Sequence, residues 1–181
     1  MKVLITGGAG FVGSHLCDSL ISNGHNPVIF TRDIQKNHNV AHILEKITIE
    51  DVDVTNHSNL GKKIIEINPD VIFHLAGQTS HKLSFENSLY DVDVNAKSTL
   101  TILETLRKSK LNCRFILGST FVVVGRPNNL PINEESQCNP TSIYGANRLT
   151  SENYCKIFHE VYGLDTVIFR ITNSFGPREQ Y

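Results

Sequence analysis

The strongest constraint on this chain lies in its first thirteen residues. An apolar run, Val3-Leu4-Ile5, leads directly into Thr6-Gly7-Gly8-Ala9-Gly10-Phe11-Val12-Gly13 and then into a stretch of helical character. Glycine-rich turns are common, and most only reverse the chain. With a strand before it and a helix after it, this one has the context that makes a phosphate-binding turn. Gly7 permits the tight turn, Gly10 lets the backbone approach a pyrophosphate, and Gly13 lets helix and strand pack closely. The free N–H groups and dipole where Phe11 and Val12 open the helix then hold the anion.

The rest of the chain alternates short apolar or β-branched runs with longer amphipathic ones, the pattern of a parallel sheet with crossover helices. Strands are expected at Lys2–Thr6, Pro27–Thr31, Ile47–Glu50, Asp70–Leu75, Cys113–Gly118 and Thr166–Arg170. Several are nearly all apolar, as strands covered on both faces should be. Helices are expected at Val12–Ser22, Ser58–Ile67, Leu89–Lys108 and Ile143–Val161. Asp33–Glu45 reads as loop with a short helix, and the Pro- and Asn-rich Gly125–Pro140 as loop. Six strands with right-handed crossovers predict an α/β, doubly wound, six-stranded Rossmann sheet with helices on both faces. The expected strand order is 3-2-1-4-5-6, in one domain over residues 1–181.

Composition removes several alternatives. Seventeen basic and eighteen acidic residues, scattered along the chain, leave a net charge of −1 and no basic stripe for nucleic acid or an anionic membrane. No stretch approaches the ~20 apolar residues of a membrane span. The apolar run at the start is far shorter than the ~7–15 residues of a signal-peptide core. Cys17, Cys113, Cys138 and Cys155 form no CxxC pair, which fits reduced thiols in a cytoplasmic protein. His38 and His42 could share a helix face, but no Cys or carboxylate completes a metal site with them.

From the spacing of the three glycines onward, the chain resembles the extended short-chain dehydrogenase/reductases, the family of NAD(P)-dependent nucleotide-sugar epimerases and dehydratases. Asp53-Val54-Thr55 matches the stretch that faces the adenine in that family. His74-Leu75-Ala76-Gly77 matches the turn beside the cofactor, so Leu75, Ala76 and Gly77 are expected to line its site. Asn95 matches the long-helix asparagine that steadies the sheet near the active site. Arg170-Ile171-Thr172-Asn173-Ser174-Phe175-Gly176-Pro177-Arg178 matches the signature after strand six, in which Asn173 would face the substrate. The resemblance implies a homodimer through the long helices. It also implies a C-terminal substrate region beyond what these 181 residues carry.

The choice of dinucleotide rests on the end of strand two. Asp33 lies twenty residues past Gly13, near where an acid would hold the ribose hydroxyls of NAD. An ungapped comparison with the epimerases instead puts Thr31 at that place, with Arg32 next. A guanidinium there suits a 2′-phosphate. The alternative for Arg32 is a solvated surface charge. The balance leans to NADP, with NAD open.

Tyr144-Gly145-Ala146-Asn147-Arg148 falls where the family carries Tyr-x-x-x-Lys. Spacing of four puts Tyr144 and Arg148 on one helical face. The chemistry requires a phenolate to take a hydroxyl proton while hydride leaves for the nicotinamide, and a nearby cation stabilises that anion. Arg148 replaces the lysine. It supplies charge and can bind ribose hydroxyls, but it does not deprotonate readily, which argues against a proton relay through it. Both residues are thus expected to serve catalysis and the cofactor. Thr120 aligns with the catalytic Ser/Thr and would bridge the substrate oxygen and Tyr144. Its ordinary alternative is a strand-end hydroxyl satisfying local backbone. Ser119, one residue away, should point to the other side of the strand.

Phe121 and Val122 follow where sugar dehydratases place an Asp-Glu pair, which disfavours elimination of water. The expected activity is epimerisation of a nucleotide-activated sugar through a transient keto intermediate. The alternatives are an NADPH-dependent keto-sugar reductase, for which Arg32 speaks, and a dinucleotide-binding module without catalysis, for which Arg148 speaks.

Overall fold

A computed structural model describes residues 1–35 and 37–179. Six strands make one sheet: β1 (Lys2–Thr6), β2 (Asn26–Thr31), β3 (Thr48–Asp51), β4 (Val71–His74), β5 (Arg114–Thr120) and β6 (Thr166–Ile171). All neighbours run parallel in the order β3-β2-β1-β4-β5-β6. The chain winds outward from β1 to β3, then returns to lay β4 on the other side of β1. That reversal opens a crevice at the carboxyl ends of β1 and β4, where the glycine-rich turn emerges.

Alternation along β1 divides the core in two. Val3 and Ile5 pack with Cys17 of α1 (Phe11–Ser22), Ile29, and Val40 and Ile43 of a 3-10 helix, His38–Lys46. On the opposite face Leu4 joins Phe30, Ile72 and Phe115 beneath α2 (His57–Ile67), α5 (Ser98–Ser109) and α6 (Ile143–Tyr162). Full burial of a Leu or Ile contributes roughly 1.5–3 kcal/mol, so the strand cores dominate the stability of both layers. Burial also pushes the thiols of Cys17, Cys113 and Cys155 up to about 12, leaving them unreactive.

The helix ends differ in how they are capped. The Asn56 side chain caps α2, and Ser142 caps α6 by accepting the Gly145 N–H at 3.0 Å. Gly163, at φ +70°, closes α6 in the left-handed region. Helix α1 starts at Gly10 with no side-chain cap at all.

The segment expected as one helix over Leu89–Lys108 is divided. It begins as α4 (Ser88–Val92), passes through a π turn at Asp93–Lys97 and continues as α5. The sequence pattern also gives no sign of α3 (His81–Glu86), which is capped by Ser80. The uncertain region after Asp33 supplies the 3-10 helix. Residues 125–140 form a loop, tied by a single bridge between Gly125 and Asn139. Among the described residues no helix is long and apolar enough to cross a membrane, and no cluster of His, Cys, Asp and Glu could hold a metal. His42 pairs instead with Asp18 at 2.7 Å.

Candidate active site

The glycine turn is built by contacts that exclude side chains. Gly7 has φ +71°, and a Cβ on it would lie 2.9 Å from the Ala76 nitrogen. A Cβ on Gly13 would meet the Gly7 carbonyl oxygen at 2.4 Å, so α1 rests directly on the turn. Gly10 is different: only the Gly7 oxygen, at 3.1 Å, is near its Cβ position. The uncapped amides at the start of α1 therefore adjoin open space, the arrangement an anion requires.

Two cavities meet at this turn, sharing Gly7, Gly10, Arg32, Leu75 and Gly77. The first, of about 450 Å³, lies between the ends of β2 and β4, and Thr31, Asp53, Val54 and Ala76 line it. Asp53 is fixed by its own loop, its Oδ1 accepting from Thr55 N and Oγ1 at 2.8 Å each. Arg32 Nη1 donates to the Tyr90 hydroxyl at 2.5 Å. Asp33 lines neither cavity, and its Oδ1 accepts the Gln35 N–H at 3.0 Å in a local turn. Thr31, Arg32, Asp53 and Val54 thus share one chamber that Asp33 does not enter.

Beneath the chamber runs a buried chain of hydrogen bonds whose directions are all determined. The Ser98 hydroxyl donates to the Val94 carbonyl, so it accepts from His74 Nε2 at 2.9 Å. His74 Nδ1 must then accept from the Thr6 hydroxyl at 2.7 Å, and Thr6 Oγ1 in turn accepts the Ala76 N–H at 3.1 Å. Burial, with the nearby Arg148 charge, holds His74 down to about 3, so it is neutral. Asn95 lies on the π turn and is buried behind the site rather than in its wall. Its amide accepts the Gln78 N–H at 3.2 Å and donates to the Gln78 carbonyl at 2.9 Å. The π turn places that amide against the strand-four turn, which fixes the backbone facing both cavities.

The second cavity, of about 860 Å³, gathers the residues expected to react. Phe11, Val12, Gly13, Thr120, Tyr144, Arg148 and Asn173 all border it. Tyr144 is 6% exposed and Arg148 3%, with the guanidinium carbon 5.8 Å from the phenol ring centroid. The Tyr144 hydroxyl has no hydrogen bond among the described residues. Arg148 has a single long contact, Nη2 to the Ala76 carbonyl at 3.5 Å, and its Nε and Nη1 are buried without a partner. Thr120 Oγ1 accepts the Val122 N–H at 3.2 Å, which leaves its proton available to the cavity. Phe121 and Val122 are also in the wall and offer no acid or base.

Neighbouring strand and helix hold these groups in place. Ser119 also borders the second cavity, against the expectation that it faces the other side of the strand, and its hydroxyl donates to the buried Glu152 at 2.6 Å. Arg170 clamps Glu152 through Nη2 at 2.8 Å, and that bond raises its own affinity for the proton. Asn147 and Gln78 both donate to the buried Asp91 at 2.7 Å, linking α6 to α4 and the strand-four turn. Sequence reading missed Tyr90 and His81. Tyr90 pairs with a residue 58 positions away, and the ring of His81 lies 5.6 Å from that of Tyr144. A polar residue beside a helix cap was their only signal.

The cleft fits a nicotinamide dinucleotide by its own features. It has a glycine cradle in which a Cβ on Gly7 or Gly13 would strike backbone, an uncapped helix start, and two orphaned buried nitrogens on a cation one helical turn from a phenol.

Comparison with known proteins gives the same picture. Residues 3–181 match the model of the NAD dependent epimerase/dehydratase family. The chain is 36% identical over 177 residues to a provisionally named UDP-glucose 4-epimerase of Methanocaldococcus jannaschii, covering 98% of this chain and 57% of the relative. It is 30% identical over 201 residues to the CDP-paratose 2-epimerase of Salmonella typhi, covering 99% and 59%. Among solved structures, the UDP-glucose 4-epimerase of Thermus thermophilus in complex with NAD superposes with a TM-score of 0.89 at 30% identity. That match covers 99% of this chain and 58% of the other. The chain therefore spans less than two thirds of each of these proteins.

Proposed function

We propose a function from one premise: this chain belongs to the NAD dependent epimerase/dehydratase family. In its full natural length, the protein interconverts epimers of a nucleotide-activated sugar through a transient keto sugar. The observation that carries this reading is the pairing on α6 of Tyr144 with a buried, unsatisfied Arg148, both bordering the cavity that adjoins the glycine turn. As a phenolate, Tyr144 accepts the proton of the reacting sugar hydroxyl and later returns it. Thr120 orients that hydroxyl, and Asn173 meets the sugar from the segment after β6. Arg148 supplies positive charge beside the phenol and remains protonated throughout, so no proton passes through it. The glycine turn, Asp53, Val54 and the Leu75–Gly77 turn would hold a nicotinamide dinucleotide, whose chemistry when bound is to take up and release hydride.

Arg32 lines both cavities while Asp33 lies outside them, which supports NADP over NAD. The same feature favours a second reading, a keto-sugar reductase. Stoichiometric loss of NADPH absorbance with a keto-sugar would identify that enzyme, whereas an epimerase shows no net loss. Partners in this reading are the nucleotide sugar and a second copy of the chain, docked through the long helices. Ile157 and Val161 leave apolar surface on α6 for that contact. The setting is the cytoplasm.

The deciding experiment is Tyr144→Phe in the full-length protein, which keeps the ring and removes the hydroxyl. Turnover should vanish while calorimetry shows unchanged dinucleotide affinity. Undiminished turnover overturns the mechanism. A wild type that binds the dinucleotide and never turns over nucleotide sugars would instead be a binding module.

A further inference from the structure

Arg32 and Tyr90 both line the first cavity and are joined by a hydrogen bond. Arg32 follows β2, on one side of β1, while Tyr90 sits in α4, on the chain that leaves β4 on the other side. The pair therefore spans the crevice over the carboxyl end of β1. Tyr90 is well anchored for this. Its ring packs against the core cluster that contains Val54 and Val94, and its N–H is capped by the Asn87 side chain at 3.3 Å. Arg32 is exposed, and among the described residues the Tyr90 hydroxyl is its one hydrogen-bond partner. A free arginine on a turn samples many rotamers, and holding it at one point lowers the entropy lost when it meets a ligand.

The charges in the chamber limit what that ligand can be. Among the described lining residues only Arg32 and Asp53 are ionic, and the Asp53 carboxylate is already engaged by Thr55. Thr31 stands at the end of β2, so no carboxylate there opposes an anion. Because the Tyr90 oxygen accepts from Arg32, its own O–H remains free to donate.

We propose that Tyr90 and Arg32 together form the receptor for the ribose 2′-phosphate of NADP, making Tyr90 a specificity-determining residue. This rests on the reading of the cleft as a dinucleotide site that prefers NADP. Arg32 supplies the charge, and Tyr90 both fixes the guanidinium and donates a second hydrogen bond. NAD has no phosphate there, and the hydroxyl in its place draws little from either side chain.

The test is calorimetric titration of the full-length protein with NADP and with NAD, for the wild type, Arg32→Ala and Tyr90→Phe. The wild type should bind NADP about tenfold or more tightly than NAD, and Arg32→Ala should erase the difference. Tyr90→Phe keeps the packed ring and should weaken NADP roughly three- to tenfold with NAD unchanged. If Arg32→Ala erases the preference while Tyr90→Phe leaves it intact, the receptor proposal is wrong and the NADP reading stands. Equal weakening of both dinucleotides by Tyr90→Phe also overturns it, since the ring would then only support the wall. A wild type that binds both equally, or prefers NAD, removes the NADP reading and the receptor together.

Discussion

His74 and Arg148 both reach the turn that ends β4, one from beneath and one from α6, and they solve the problem of burial in opposite ways. Around His74 every donor meets an acceptor, from the Ala76 N–H through Thr6, the imidazole and Ser98 to the Val94 carbonyl. Around Arg148, two guanidinium nitrogens meet no partner among the described residues, and the charge stays buried. A buried unsatisfied group costs about 1–3 kcal/mol, more when charged, and folding alone gives no reason to bear that cost. The matched chain is framework. In the proposed function, the unmatched cation is a place kept for a ligand.

That contrast predicts effects of opposite sign. His74→Phe should give the largest change, destabilising the fold by roughly 2–4 kcal/mol, because Thr6 and Ser98 lose a buried partner and the ring fits poorly. Denaturant midpoints measure it, and the folded fraction should still bind dinucleotide. Arg148→Met is next. It removes a buried, poorly paired charge with similar volume, so stability should hold or rise by about 1 kcal/mol. Dinucleotide affinity should fall about tenfold. If Arg148→Met unfolded the protein, the two residues would be alike and the contrast would fail.

A smaller effect follows from protons. The folded His74 is held at about 3, below its ordinary value of 6.5, so only the unfolded chain takes up a proton between those values. Its contribution is complete above about pH 6.5 and declines as pH falls toward about 3, by at most ~1.4 kcal/mol per pH unit. His74→Gln offers a donor and an acceptor without titrating, and should flatten that slope in acid denaturation. Arg148→Lys should change least: stability and affinity stay close to wild type, and turnover holds or rises. A sharp loss of turnover would show that the planar guanidinium is itself required.

What the sequence disclosed depended on distance along the chain. The glycine turn, the six strands and the Tyr144–Arg148 spacing are local patterns, and local patterns follow from helical and strand periods. The π turn at Asp93–Lys97 adds part of a turn to an otherwise continuous helical pattern, too small a change for periodicity to register. Arg32 could be suspected from its place after β2, yet its partner Tyr90 is 58 residues on, and only the folded sheet brings them together. The clamp of Ser119 and Arg170 on Glu152 was equally hidden, although each residue stands beside a recognisable motif. Asp33 shows the converse. It has the spacing of a ribose ligand, but the turn after β2 directs its carboxylate to the Gln35 amide.

Under the proposed function, a sugar carbon gives up its hydrogen as hydride inside the cleft and receives the same atom back on its other face. A nucleotide sugar carrying deuterium at the inverting carbon, incubated with the full-length protein in ordinary water, tests it directly. The product epimer, examined by mass spectrometry, should keep its deuterium through many turnovers, because the proposed mechanism at Tyr144, Thr120 and Arg148 moves the hydroxyl proton separately from the carbon-bound hydrogen. Epimerisation accompanied by loss of deuterium to solvent would mean that the carbon is deprotonated instead, and would rule out hydride transfer.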